Sequence, residues 1–421
     1  MQAILGDVPF ARAGLRPAPP ERDLDTNNRH TTELPIQNFT GFSYIDEFMA
    51  VCLLGVAVKD SIKREKETSK LNAAVYAAMF LLVIVVCLGL LGNITWEVQT
   101  QAAPILIDIF TCIKFPLTVI SGSMVFSKSS DIFFGVIEME AKVVVAVLFV
   151  LGVANLFVDY GMGADLRYGL RSFMAVFGHP TYLVFACVGL SVILLANWKH
   201  NLSWIIVALV VISLSLRSKG LVYAAIVVAL LVLFSRRNKI SILQVVVCAF
   251  LAFFIAYDQF VAYFQTNGFA RTELLQTAFE VANDHAPYGS GFATYGSAVT
   301  ADLQYYSSLY YEYGLSTVWG LSPDWPAFLS DTFWPTVLGQ FGWMGVLCYA
   351  GVVGLLFRFA YQFASGTRLA ACCCFLYLLI SSTSESAFFN PQSVYLAVCL
   401  SIVLGSGLRA NQKERFRKCN R

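Results

Sequence analysis

A chain of 421 residues that is 57% hydrophobic, 13% charged and +0.65 in mean hydropathy is no ordinary soluble domain, since such domains are about 25% charged. The net charge of +2 says nothing about partners, and nothing else in the composition points to nucleic acid. Ten of the eleven cysteines lie in apolar stretches and Cys419 in a basic tail, so neither a disulfide framework nor zinc spacing exists, and no metal or other cofactor is expected.

Residues 1–42 are polar, contain Arg12, Arg16, Arg22 and Arg29, and lack the charged-then-apolar pattern of a cleavable signal; no function is assigned to them. A helix needs roughly 20 mostly apolar residues to cross a bilayer. Candidate spans follow at 43–59, 71–93, 103–126, 132–158, 180–197, 202–216, 220–234, 240–257, 333–357, 369–383 and 391–408. Lys and Arg fall at alternate ends of these spans: Lys59 to Lys70, Lys128, Lys199, Arg236 to Lys239, Arg358, Arg368 and the tail 409–421. The positive-inside rule makes those ends cytoplasmic. The expected fold class is an all-α polytopic membrane protein of about eleven transmembrane helices. Its parts are a bundle over 43–257, one large extracytoplasmic loop over 258–332, C-terminal helices over 333–408 and a basic cytoplasmic tail.

The polar positions on the expected outer face carry the chemistry. In the connection 159–179, Arg167 and Arg171 are four apart and would share a face on a helical turn, either as solvated cations or as a pocket for a phosphate-bearing ligand. Arg217, in Leu-Ser-Leu-Arg-Ser-Lys-Gly, sits between two short apolar spans; it either snorkels to the headgroups or, lying within the membrane, requires a partner and marks a functional position. The large loop holds Arg271 as its one strong cation among carboxylates that include Glu312 and Asp331. Arg271 opens a stretch with Leu274, Leu275, Ala278, Phe279 and Ala282 at helical spacing, which reads as an amphipathic helix along the membrane surface. His285 follows, then Gly289, Gly291 and Gly296, whose backbone amides could approach a ligand closely. Tyrosines such as Tyr295 and Tyr306 are either an interfacial belt or platforms for sugar rings. Asp331 precedes a helix whose Gly339, Gly342 and Gly345 offer a smooth packing face, and it either caps that helix or projects into a cavity. Glu385, an isolated outer carboxylate, is a candidate partner for one of the arginines.

This order of features resembles the O-antigen ligase and polymerase superfamily, including Wzy-type polysaccharide polymerases. Ligases of that group carry His-Asn (or His-Ser/Gln), nine residues, then Gly-x-x-Gly/Thr/Tyr where the large loop meets the next span. This chain has Asp331-Thr332, nine residues, then Gly342-Trp-Met-Gly345; the spacing matches but aspartate replaces histidine, which favours the polymerase branch. The segments 214–220 and 383–391 also look like polysaccharide polymerases. The resemblance implies a GT-C-like, metal-independent glycosyltransferase of the bacterial plasma membrane with its active site outside. It would polymerise undecaprenyl-diphosphate-linked repeat units into O-antigen, capsule or exopolysaccharide, with a chain-length regulator as a possible partner. Asp331 would be the base, Arg217 and Arg271 would hold the diphosphate, and Arg167, Arg171, His285, Tyr295, Tyr306, Glu312 and Glu385 would contact substrate. The alternatives are a ligase using another acceptor, or a transporter, which would show charged or broken helices near the bilayer midplane.

Overall fold

The computed structural model describes residues 45–63, 72–167, 169–237 and 269–419. The tail 1–42, the expected span 240–257 and loop residues 258–268 lie outside them. The described residues are mostly helical: α1 (Ile45–Lys63), α2 (Ala73–Trp96), α3 (Ala102–Phe126), α4 (Asp131–Phe157), α5 (Pro180–Leu195), α6 (Trp198–Leu214), α7 (Ser218–Arg237), α8 (Ala270–Asp284), α9 (Trp334–Tyr361), α10 (Ser365–Ser381) and α11 (Pro391–Cys419). Among the described residues, four helices are long and apolar enough to cross a membrane: α2, α3, α9 and the Pro391–Lys413 part of α11. These mark a membrane-embedded helical protein.

Local chemistry sets the helix starts. Asn72 and Ser130 accept from the first-turn amides of Ala74 and Phe133, and proline opens α5 and lies in the first turn of α9. Inside α3, Pro116 has no N–H to give the Cys112 carbonyl four residues back. The Tyr349 hydroxyl from α9 donates to that carbonyl at 3.2 Å. Helix α2 packs along α9, α3 along α11 and α1, and α5 against α6, α10 and α11. Helices α1 and α3 run parallel: Lys114 bonds Asp46 at 2.6 Å near the start of α1, and Lys128 bonds Asp60 near its end.

The segment between α8 and α9 folds back into the helices. Helix α9 breaks at Gly342 (φ 65°, ψ −170°), freeing upstream carbonyls. The amides of Ser290 and Gly291 donate to the carbonyls of Gly339 and Gln340, each at 2.9 Å. A Cβ at Gly289 would lie 2.4 Å from the Gly342 nitrogen, so the two chains meet only through glycine. Asn93 of α2 accepts the Phe292 amide at 2.8 Å and donates to the Phe292 carbonyl at 3.0 Å. Asp108 of α3 accepts the Ala293 amide (2.7 Å), the Ser297 hydroxyl (2.7 Å) and the Gln340 side-chain amide (2.8 Å).

Three expectations change here. Gly339, Gly342 and Gly345 do not form a smooth helical face, because Gly342 is the break itself. The amides of residues 290–293 are taken by protein acceptors and do not face a ligand. Helix α8 buries Leu274, Ala278, Val281 and Ala282 in a second core with Tyr295, Leu309, Tyr310, Leu315, Leu321 and Leu329; Leu274, Ala278 and Ala282 of the expected stripe therefore meet protein, while Phe279 is exposed.

Asp108→Ala would strand three donors, each at a cost of about 1–3 kcal/mol. The purified protein should melt earlier in detergent and be cleaved faster by protease within 285–333. Unchanged melting and cleavage would show that Asp108 does not hold this segment.

Candidate functional site

A cavity of about 840 Å³ opens where the ends of α5, α7, α10 and α11 meet the segment before α9. Its polar lining includes Arg167, His179, Arg217, Lys219, Arg271, Asp331 and Glu385, and its apolar wall includes Val184, Val222, Leu376 and Ile380. Four cations therefore face two carboxylates, a net charge of +2 with His179 neutral.

Each charged group reaches the cavity by its own route. The connection 159–179 is a hairpin, β1 (Gly163–Arg167) against β2 (Leu170–Phe173), with Arg167 paired to Leu170 and Arg171 to Leu166. This corrects the helical-turn reading: strand pairing sends Arg167 to the cavity, while Arg171 forms an exposed ion pair with Asp159 outside its lining. Arg217 occupies the tight connection between α6 and α7, following Leu216 at φ 51°. It lies 3.4 Å from His179 Nε2 and 3.7 Å from Asp165. His179 caps α5 by accepting the Thr181 amide at 3.3 Å. Burial, and then the Arg217 guanidinium, hold its imidazole below the ordinary value of 6.5, so it adds no charge at neutral pH.

Asp331 does not cap α9; the cap position is Phe333, with no side-chain hydrogen bond. Its carboxylate instead accepts from Arg271 at 2.8 Å. Ser386 fixes the backbone on either side by donating to the carbonyls of Ser330 and Thr332. Burial raises the Asp331 carboxyl from its ordinary value, and the Arg271 charge only partly opposes this. Glu385 pairs with Lys219 at 2.8 Å, not with an arginine.

The other expected contact residues lie away from the cavity lining. His285 is buried, its Nδ1 2.9 Å from the Val281 carbonyl and its ring edge-on to Trp96. The Tyr295 hydroxyl donates to the Leu274 carbonyl and that of Tyr306 to the Leu321 carbonyl, so both tyrosines brace the second core. Glu312 is exposed on the single helical turn Leu309–Glu312. Lys219 and His179 were not chosen from sequence as site residues. The signal for both was present: each borders the connections that carry Arg167 and Arg217.

No protein-family model matches the chain, and no curated protein matches it significantly. The site must be read from its chemistry. Cations in excess, half-buried at helix ends above an apolar wall, suit an amphiphile with a doubly charged phosphate head. Among the described residues no cluster of His, Cys, Asp and Glu could hold a metal ion.

Arg167→Ala should weaken inorganic pyrophosphate binding to the purified protein by about tenfold, as for loss of one charge-assisted hydrogen bond. Arg171→Ala should leave it within about twofold, because an exposed pair contributes little. Titration calorimetry in detergent separates these outcomes; equal effects would remove the distinction between the two arginines.

Proposed function

We propose that the protein is a lipid-linked-oligosaccharide polymerase: a metal-independent glycosyltransferase that joins undecaprenyl-diphosphate-linked repeat units into a surface polysaccharide. The observation that carries the reading is the cavity in which Asp331 meets Arg271 beside Arg217, Lys219 and Arg167. A diphosphate diester carries one negative charge on each phosphate, which matches the cation excess. Guanidinium groups suit bidentate phosphate recognition, and fixed cations stabilise the charge that develops on a departing diphosphate. In this mechanism the acceptor hydroxyl gives its proton to the Asp331 carboxylate. Its oxygen bonds to the anomeric carbon of the donor, and the bond from that carbon to the diphosphate oxygen breaks, leaving the electron pair on the diphosphate.

We place about eleven spans in the plasma membrane and the cavity on the extracytoplasmic side. One observation supports that side, the gathering of the basic connections at the ends opposite the cavity. The ends of α5, α7, α10 and α11 that line the cavity carry Arg217, Lys219, Thr383 and Pro391. The opposite ends gather the basic connections: Arg409 and Lys413 on Asp131, Lys128 on Asp60, and Gly366 against the Ala196 carbonyl.

A transporter has one observation in its favour, the interruption of α9 at Gly342. The buried carboxylate beside it is surrounded by donors, however, and a cation site requires acceptors. A ligase would use the same cavity with another acceptor, and aspartate at position 331 weighs against it.

Deleting the gene in its host and separating the lipid-linked and surface glycans on a gel tests the reading. Single repeat units in place of a ladder support a polymerase, long chains stranded on the lipid carrier indicate a ligase, and unchanged glycans refute both. In a reconstituted assay Asp331→Asn should cut the rate by about tenfold or more, as for loss of a base. Because a base acts when deprotonated and this carboxyl is raised above 3.8, the wild-type rate should fall as pH drops through the raised value. Asp331→Asn should lack that acid limb. Arg217→Lys should remain impaired, since ammonium is a point charge without the guanidinium fork.

A further inference from the structure

Two of the four cavity cations are already engaged by cavity carboxylates. Arg271 holds Asp331 and Lys219 holds Glu385, each at 2.8 Å, with all four side chains between 15% and 29% exposed. The two pairs are neighbours, since Lys219 and Glu385 both act electrostatically on Asp331. Both stand in the lining of one cavity, so an anion that reaches Arg271 or Lys219 meets a cation already facing a carboxylate. Binding at these two cations must therefore replace one set of ion pairs with another, and the half-buried setting makes a group left without a partner costly. A ligand with one phosphate can replace one carboxylate. A ligand with two linked phosphates can replace both at once, and the second exchange is then intramolecular.

We propose, resting on the polymerase reading, that the cavity works by ion-pair exchange: a diphosphate takes Arg271 from Asp331 and Lys219 from Glu385 in one event, and so releases Asp331 to act as the base only when the donor is seated. A carboxylate held by a guanidinium is a poor proton acceptor, because the pair stabilises its charged form. Once Arg271 turns to the diphosphate, Asp331 faces a new negative charge in a partly desolvated place, and its affinity for the acceptor hydroxyl proton rises. Glu385 and Lys219 thereby become specificity residues: they form the second lock, which a lone phosphate leaves closed.

The test is calorimetric titration of the full-length protein in detergent with inorganic pyrophosphate and, separately, inorganic phosphate. Wild type should bind pyrophosphate at least about tenfold more tightly than phosphate. Asp331→Asn and Glu385→Gln should each strengthen pyrophosphate binding by about tenfold, the size of one charge-assisted contact no longer in competition, and should narrow the gap between the two anions. Glu312→Gln, which removes the same charge outside the cavity, should change neither by more than about twofold. Equal strengthening in all three variants would reduce the effect to net charge and overturn the exchange. Pyrophosphate binding that Arg271→Ala weakens but Asp331→Asn and Glu385→Gln leave unchanged would overturn the exchange while the diphosphate site stands. No pyrophosphate binding by wild type would overturn both. Melting curves matching wild type identify the variants whose binding is interpretable, and Asp331→Glu, which restores the charge, should return the wild-type ratio.

Discussion

The structure depends on one carboxylate that has no access to water. Asp108 lies inside α3 at 3% exposure, and a charge there is tolerated only if donors surround it. Its three donors come from residues 293, 297 and 340, which binds the re-entrant segment to α3 and the first part of α9 simultaneously. Ala298, the next residue after Ser297, is part of the cavity wall. Asp108 thus holds the segment that supplies Ala298 to the cavity wall.

A second constraint follows from the break in α9. The carbonyls of Gly339 and Gln340 take the amides of Ser290 and Gly291, so the first stretch of α9 is anchored at its far end by an earlier segment of the same chain. Its start is braced by Trp334 on Ser382 and by Ser386 on the carbonyls of Ser330 and Thr332. With the helix start held by these contacts, Asp331 is not needed as a cap and can turn toward Arg271. The polar group nearest the helix start serves the cavity because packing has taken over its ordinary task.

Much of this was legible from sequence where the signal is local. Helix positions along the described chain follow runs of apolar residues, and Arg167, Arg217, Arg271, Asp331 and Glu385, selected as isolated charges in polar connections, line one cavity. What was not legible depends on partners distant in the chain. Arg171 could not be separated from Arg167 without the strand pairing that turns them apart. Tyr295 and Tyr306 bear hydroxyls whose acceptors, Leu274 and Leu321, are backbone carbonyls that leave no mark in composition. Gly342 looked like one of three equivalent glycines, and only the approach of Gly289 reveals why it alone leaves the helix. Lys219 was not selected, because its partner Glu385 is far along the chain.

That separation in sequence bears on how the protein is made. Arg217 and Lys219 occupy the turn of the α6–α7 hairpin, whereas Glu385 is synthesised only after α8, α9 and α10. During biogenesis the hairpin is therefore made with a Lys219 whose lasting counter-charge does not yet exist, whereas the partners of Arg217, Asp165 and His179, precede it. Until α10 arrives, headgroup phosphates are the natural stand-ins, reached by snorkelling from a short hairpin. The arrival of Glu385 then replaces lipid phosphate at Lys219, so assembly itself ends with an exchange of anions there.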